Sequence, residues 1–272
     1  EQAGRLAYAH GSVFTSEPLE RYAAAVGLRL PLDSLPAGAP ESHLSGEELH
    51  TQQMAFGYTV EDMKYILAPM MNNGEEAIGS MGNDTPVAVL SQRAQPLYNY
   101  FQQLFAQVTN PPLDAIREEL VTSVYTNVGP EGNLLDQSLA DIHLVKLENP
   151  FIDNEQMARI KALSGDPRFR TTVVSTLFNA ADGPEGLDGA MQDLFRRVDD
   201  AVAAGAKVLV LSDRGVDAQH APIPALLAIA GVHNHLVREK KRTQVGVVHL
   251  PRRGPAGVMR QRRCRECLPR AF

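Results

Sequence analysis

The sequence lacks the features that mark membrane and secreted proteins. Only two of its 272 residues are cysteines, so it is not a disulfide scaffold, and a reducing cytoplasm fits this usage. Its longest apolar runs fall far short of the roughly 20 residues that a membrane-spanning helix needs. The first residues do not show the basic start and apolar run of a signal peptide. We therefore expect a cytoplasmic protein without a membrane partner.

A basic surface is also missing from most of the chain. The net charge is -6, which disfavours nucleic acid as a partner because phosphate binding needs a face rich in Lys and Arg. The charge is uneven, since residues 251–272 carry seven Arg and one Glu, a net of +6, and leave -12 on the first 250 residues. This tail holds both cysteines and shows no helical or strand period, so it differs in kind from the rest.

Hydrophobic residues make up 44% of the chain, enough for a buried core. Residues 1–50 are weakly patterned, and Pro31, Pro36 and Pro40 interrupt a stretch that is typical of a linker. Thr59 and Asp62 have capping-box spacing and predict a helix that ends at Asn73. An apolar stripe predicts a second helix over 96–109, and a third follows Leu113. The N-terminal half should therefore be rich in helix.

The second half alternates between two periodicities. Strands are predicted at 171–178, 207–211 and 245–250, with amphipathic helices at 187–204 and 223–240 between them. Strand, helix, strand, helix, strand is the order of a parallel sheet with right-handed crossovers. The predicted fold class is therefore α/β, built from parallel βα units after a helix-rich N-terminal half.

Several segments, taken in order over roughly residues 50–248, resemble the central domain of glutamate synthases. The match begins with Gln53-Met54-Ala55-Phe56-Gly57-Tyr58-Thr59 and the loop Gly79-Ser80-Met81-Gly82-Asn83-Asp84-Thr85-Pro86. It continues through Gln103–Pro112, Gly132–Leu135, Leu211-Ser212-Asp213-Arg214, Ile223–Ala228 and Val232-His233-Asn234-His235-Leu236. The ordered set is far more specific than any one segment.

The resemblance implies a domain plan and a function. Residues 1–50 would connect to an amidotransferase domain, 51–248 would form the central domain, and 249–272 would be an anomalous tail. Glutamate synthases convert glutamine and 2-oxoglutarate to two glutamates, passing ammonia through an internal tunnel to a barrel that carries FMN and a three-iron cluster. The family's central domain resembles a partial or degenerate barrel and holds no known catalytic side chain.

The resemblance also implies partners and cofactors. The amidotransferase and FMN-barrel domains of the same parent chain are the expected partners, together with either a small subunit or ferredoxin. The segment itself is expected to bind no cofactor and to be inactive. After Val248 the family continues with an acidic residue, a small-residue turn and a His pair, whereas this chain reads His249-Leu250-Pro251-Arg252-Arg253. We predict that residues from about 249 are out of frame or otherwise foreign, which resequencing the DNA would test.

Most candidate site residues lie in one loop and at one helix end. The loop residues are Ser80, Gly82, Asn83, Asp84 and Thr85. We interpret this loop first as a tight turn in which Asp84 holds backbone amides. The alternatives are an anion cradle and a loop that lines the tunnel or a domain contact. Gln107 and Asn110 are interpreted as caps of orphan carbonyls at a helix end, with an ammonia path as the alternative.

Asp213 and Arg214 follow an apolar strand, the position where open α/β sheets bind ligands. An ion pair that closes the strand end is the simpler interpretation. The competing hypothesis for the whole chain is a free-standing α/β enzyme that binds an anionic small molecule at the 79–86 and 212–215 loops.

Two further pairs suggest metal sites only weakly. His233 and His235 lie about 200° apart on a helix, so they are interpreted as core or interface residues. Cys264 and Cys267 have the spacing of half a zinc or redox site, but structural zinc needs four ligands. No metal site is predicted.

Overall fold

A computed structural model describes residues 29–39, 45–56, 58–74, 86, 88–92, 97–100, 112–122, 125–132, 143–149 and 152–250. The chain divides into two compact units. The described residues of the first unit are 29–39 and those within 125–250, and the described residues of the second lie within 45–122.

The described residues contain eight strands and six α-helices. The strands are β1 (Arg29–Pro31), β2 (Thr126–Val128), β3 (Leu144–Leu147), β4 (Thr171–Ser175), β5 (Leu177–Asn179), β6 (Val208–Ser212), β7 (His220–Pro222) and β8 (Gly246–Leu250). The helices are α1 (Gly46–Ala55), α2 (Ala68–Asn73), α3 (Ala115–Val121), α4 (Asn154–Ala162), α5 (Gly186–Ala203) and α6 (Ala225–Arg238).

A three-stranded parallel sheet with the order β4–β6–β8 is the centre of the first unit. Helix α5 connects β4 to β6, and α6 connects β6 to β8, so the predicted alternation of strands and helices is confirmed. In the register, Val174 lies beside Leu211, which lies beside His249. Strand β6 is buried along its whole length, as expected for a central parallel strand covered on both faces.

The two faces of this sheet bury separate apolar clusters. Alternate strand residues such as Val174, Leu209 and Val247 pack with the apolar stripes of α5 and α6. The opposite face, which includes Val210 and Val248, packs in a second cluster with residues of α4 and the small sheet described below.

The small sheet was not predicted. Its order is β1–β3–β2, with β1 parallel and β2 antiparallel to β3. Its strands have only three or four residues, too short to show a clear period. Strand β1 falls within residues 1–50, and the neighbouring Leu32 and Leu35 are buried in the core. The division at residue 50 stays a prediction.

The predicted strand over 171–178 was wrong in its length. Strand β4 ends at Ser175, and β5 pairs with β7 in a separate antiparallel ribbon. At the break, the Thr176 amide donates to the Ser212 carbonyl oxygen and the Ile223 amide donates to the Thr176 carbonyl oxygen. The β-branched composition indicates extended backbone but does not identify the partner strand, so it could not reveal the change of sheet.

The second unit contributes helices, so the helix-rich N-terminal half is confirmed. Thr59 and Asp62 exchange the two hydrogen bonds of the predicted capping box, at 2.9 and 3.2 Å. A π-helical stretch, Asp62–Leu67, leads into α2, which ends at Asn73 and is followed by Gly74 in the left-handed conformation. The predicted helix over 96–109 lies mostly outside the described residues, and its described part, Leu97–Tyr100, forms a 3-10 helix.

Candidate functional site

Seven of the predicted site residues cannot be placed. They lie outside the described residues and are Ser80, Gly82, Asn83, Asp84, Thr85, Gln107 and Asn110. The turn, tunnel and domain-contact interpretations of these residues stay predictions, as does every interpretation of Cys264 and Cys267.

Asp213 and Arg214 lie at the carboxyl edge of the parallel sheet, as predicted. Asp213 is buried, and Arg214 is half-buried. The Arg214 amide donates to Ser212 Oγ at 3.3 Å, and Arg214 Nη2 donates to Asn154 Oδ1 at 3.5 Å. The geometry favours a structural role that joins β6 to the start of α4.

Two buried polar groups near this edge escaped the sequence analysis. Thr176 is fully buried and His249 is half-buried, yet neither Thr176 Oγ1 nor His249 Nε2 has a hydrogen-bond partner in the described part of the chain. Burial lowers the pKa of His249 to about 4 because the charged imidazolium loses its hydration. No motif marks either residue, since a threonine after a β-branched run and a histidine in a strand are ordinary.

The two helix histidines have separate partners. His235 Nε2 lies 2.8 Å from Asp199 Oδ2, and the His235 ring stacks on Phe195. His233 Nδ1 accepts from Arg242 Nε at 3.0 Å. In the described ranges no group of three His, Cys, Asp or Glu side chains could hold a metal ion. The two histidines therefore link α6 to α5 and to the turn before β8.

The second unit exposes most of the apolar surface. None of its described residues is buried. It carries eleven of the thirteen exposed large apolar side chains found among the described residues: Leu49, Met54, Val60, Met63, Tyr65, Met71, Val89, Leu90, Tyr100, Ile116 and Val121. Exposed apolar side chains mark interaction sites in soluble proteins where they lie together in one patch.

No helix in the described ranges is both long enough and apolar enough to cross a lipid bilayer.

Comparison with known proteins identifies the family. The sequence model described as "Glutamate synthase central domain" matches residues 51–250. The chain belongs to the glutamate synthase central domain family. The resemblance predicted from the ordered segments is therefore confirmed, and the α/β fold agrees with it.

Among curated relatives, the large chain of the Bacillus subtilis NADPH glutamate synthase is 45% identical over 201 residues, covering 74% of this chain and 13% of its own. The large chain of the Azospirillum brasilense NADPH glutamate synthase is 41% identical over 202 residues, again covering 74% of this chain and 13% of its own. Ferredoxin-dependent glutamate synthase 2 of Synechocystis is 40% identical over 201 residues, covering 72% of this chain and 13% of its own. The chain thus spans about one eighth of the length of these relatives.

Proposed function

We propose that this chain is the central, non-catalytic domain of a glutamate synthase, where it links the glutamine amidotransferase domain to the FMN-dependent synthase domain. The family match over residues 51–250 carries the proposal. The parent enzyme would convert glutamine and 2-oxoglutarate to two glutamates, in glutamate biosynthesis and ammonia assimilation. Its electron donor would be a reduced nicotinamide or ferredoxin, since relatives named for both donors match this chain.

The physical role of such a domain is confinement. Ammonia released into bulk water is diluted, whereas ammonia held between two fixed active sites reaches the second at a high effective concentration. A parallel sheet buried on both faces gives the rigidity that a fixed separation needs, and β6 is buried throughout. The exposed apolar side chains of the second unit would then pack against other domains of the parent.

The cofactors of the parent enzyme do not fit the residues that the structure describes. Iron–sulfur clusters are held by cysteine thiolates, four for a four-iron cluster, and the whole sequence has two cysteines. A flavin phosphate needs an anion-binding loop; the candidate loop at 79–86 lies mostly outside the described residues, and the carboxyl edge of the described sheet carries the buried side chain of Asp213. We therefore assign FMN and the three-iron cluster to the synthase domain.

A domain exchange tests the proposal. In the Bacillus subtilis large chain, the segment that matches this protein is replaced either by residues 51–250 of this chain or by a flexible linker. We expect the exchange to keep glutamine-dependent glutamate formation, and the linker variant to lose it while keeping glutaminase activity. Ammonia-dependent glutamate formation reports whether the synthase domain is still folded.

Two results would refute the linking role. One is a folded linker variant that makes glutamate from glutamine at the parental rate. The other is turnover of glutamine or 2-oxoglutarate by the isolated 272-residue chain, which would support the hypothesis of a free-standing enzyme.

A further inference from the structure

An open apolar groove lies in the first unit, beside the carboxyl edge of the parallel sheet. It has a volume of about 310 Å³ and is formed by the β5–β7 ribbon, the first turn of α5 and Pro224, the residue before α6. Its walls include Phe178, Pro184, Leu187, Ala221, Pro222 and Pro224. This volume admits one or two bulky side chains and is shallow enough to be reached by another protein segment.

The backbone around the groove is rigid. Three of its wall residues are prolines, whose rings fix φ, and the β5–β7 ribbon pairs Leu177 with Pro222 and Asn179 with His220. The Ala180 amide adds a hydrogen bond to the Gln219 carbonyl oxygen at 2.7 Å. A groove that is already ordered loses little conformational entropy when it is filled, which favours binding.

Exposed carboxylates flank the wall residues of the groove along the chain. Asp182, Glu185 and Asp188 lie within two residues of wall residues along the chain, and all three are exposed. Arg197, which lies near this edge, is engaged elsewhere: its Nη1 donates to the Ser175 carbonyl oxygen, and its Nε forms a salt bridge with Asp193 Oδ2 at 2.9 Å. An apolar floor flanked by carboxylates is complementary to a bulky apolar side chain that has Lys or Arg next to it.

We propose that this groove is the docking site for a segment of another domain of the parent glutamate synthase, and that the segment presents a bulky apolar side chain flanked by basic residues. The inference rests on the proposed function, since the chain spans only 13% of each of these relatives and most of the parent polypeptide lies outside it. The apolar side chain would supply affinity, and the basic neighbours would orient the segment on the carboxylates.

Short peptides test the chemistry of the groove on the 272-residue chain. The probe is N-acetyl-Arg-Leu-Phe-Arg-amide. Two controls separate its components: Glu-Leu-Phe-Glu reverses the charge, and Arg-Ser-Ser-Arg removes the apolar side chains. Methyl NMR follows Leu187 and Ala221 in the groove, with buried Leu163 as an internal reference. We expect concentration-dependent shifts at Leu187 and Ala221 with the first peptide only, weakening between about 50 and 500 mM salt.

Matched variants then locate the site. The triple variant D182N/E185Q/D188N removes the flanking charges and should weaken binding about three- to tenfold. The control D200N/E239Q neutralises exposed carboxylates at the other ends of α5 and α6 and should bind as the parent chain does. Circular dichroism and the unfolding midpoint establish that both variants are folded.

Three results would overturn the inference. Equal binding of the Glu-Leu-Phe-Glu peptide, or no shift at Leu187 and Ala221, overturns the inference. Self-association of the chain that broadens the same methyls, and that the basic peptide does not displace, assigns the groove to a second copy and also overturns it. None of these results bears on the domain exchange, so failure of the docking site and failure of the linking role are distinguishable.

Discussion

Gly129 occupies a position that no other residue fits without strain. Its φ is +148°, and a Cβ built there would lie 2.6 Å from the His143 carbonyl oxygen and 2.9 Å from a Leu144 methyl carbon. We expect Gly129→Ala to lower the free energy of unfolding by about 2–4 kcal/mol, since both the backbone and a neighbouring strand would have to shift. Urea unfolding of the first unit measures the loss.

Gly189 is the matched control for that substitution. It lies in α5, and an added Cβ would meet nothing within 4 Å. Gly189→Ala should raise the free energy of unfolding by about 0.5–1 kcal/mol because alanine loses less backbone entropy in a helix. Equal effects at the two glycines would contradict the packing assigned to Gly129.

Asp199 joins α5 to the end of α6 through His235 and Lys241, at 2.8 and 2.7 Å. Partial burial alone would raise its pKa, but the hydrogen bonds from Lys241 and His235 outweigh burial and leave the pKa lowered. A carboxyl whose pKa is lowered by folding stabilises the fold at pH values above its unfolded pKa of about 3.9. This contribution to stability is lost as pH falls through the folded pKa.

Asp199→Asn should therefore cost about 1 kcal/mol at pH 7, after allowance for partial exposure. The difference from the parent chain should begin to shrink below about pH 4, where the unfolded chain takes up a proton at this carboxyl before the folded chain does. Denaturant unfolding from pH 7 to pH 3 measures the difference in unfolding free energy between the variant and the parent chain. Asp200→Asn, at the exposed neighbouring position, is the control and should change stability little at any pH.

His249 should make the first unit sensitive to mild acid. Its pKa is about 4 in the fold against about 6.5 when unfolded, so between these values the unfolded chain binds the extra proton. Stability should fall by about 1 kcal/mol per pH unit as pH decreases from about 6.5 to 4. His249→Leu removes the titrating group and should flatten this slope.

Substitution of the exposed His50 by Asn is the control for that experiment, because His50 lies in the other unit. The pH dependence of the first unit's unfolding should not change. A His249→Leu variant with the parental slope would show that some other group titrates in this window.

Helix α4 and helix α1 carry the same type of cap but differ in what they bury. Asp153 caps α4 in a capping box, and α4 buries Met157, Ala158 and Ile160. Ser45 caps α1 in the same way, yet α1 buries no residue. Asp153→Ala should lower the unfolding free energy of the first unit by about 1 kcal/mol, because this helix is part of the core.

Ser45→Ala should instead increase amide exchange within α1 and leave the unfolding of the first unit unchanged, since a helix without a buried face contributes only local stability. Asp153→Asn keeps a capping oxygen and should retain most of the stability of α4. Exchange protection followed residue by residue separates the two cases.

At the scale of the whole molecule, most of the exposed large apolar side chains among the described residues belong to the second unit. Met54 is 66% exposed and Met71 is 82% exposed. We expect the isolated chain to self-associate, and the variant M54Q/M71Q to do so less while keeping its unfolding midpoint, because neither side chain is buried. Sedimentation velocity measures the first property and calorimetry the second. A lower midpoint would mean that these residues belong to a core.

The long elements were predictable because their periodicity is local. The stripe of α5 runs over eighteen residues and was predicted within one residue at each end, at 187–204 against Gly186–Ala203. The strands β6 and β8 were also found within one residue. The three- and four-residue strands were missed because such short runs have no measurable period, and their pairing partners lie far away in sequence.

The candidate site, too, could be predicted only in part. The position of Asp213 and Arg214 at the end of β6 followed from the apolar run before them. The burial of the Asp213 carboxylate did not, because it depends on neighbouring strands and helices. The apolar groove also depends on pairing, since β5 and β7 are separated by more than forty residues and share its walls.

Family, fold class and the order of βα units could be derived from the linear chain, because ordered motifs and helical or strand periods are properties of neighbouring residues. Only the tertiary structure decided which polar groups are buried, where β4 ends and β5 begins in a separate sheet, and which apolar side chains stay exposed. The physical reason is that burial and strand pairing are set by residues far apart in sequence, whose contacts no local pattern records.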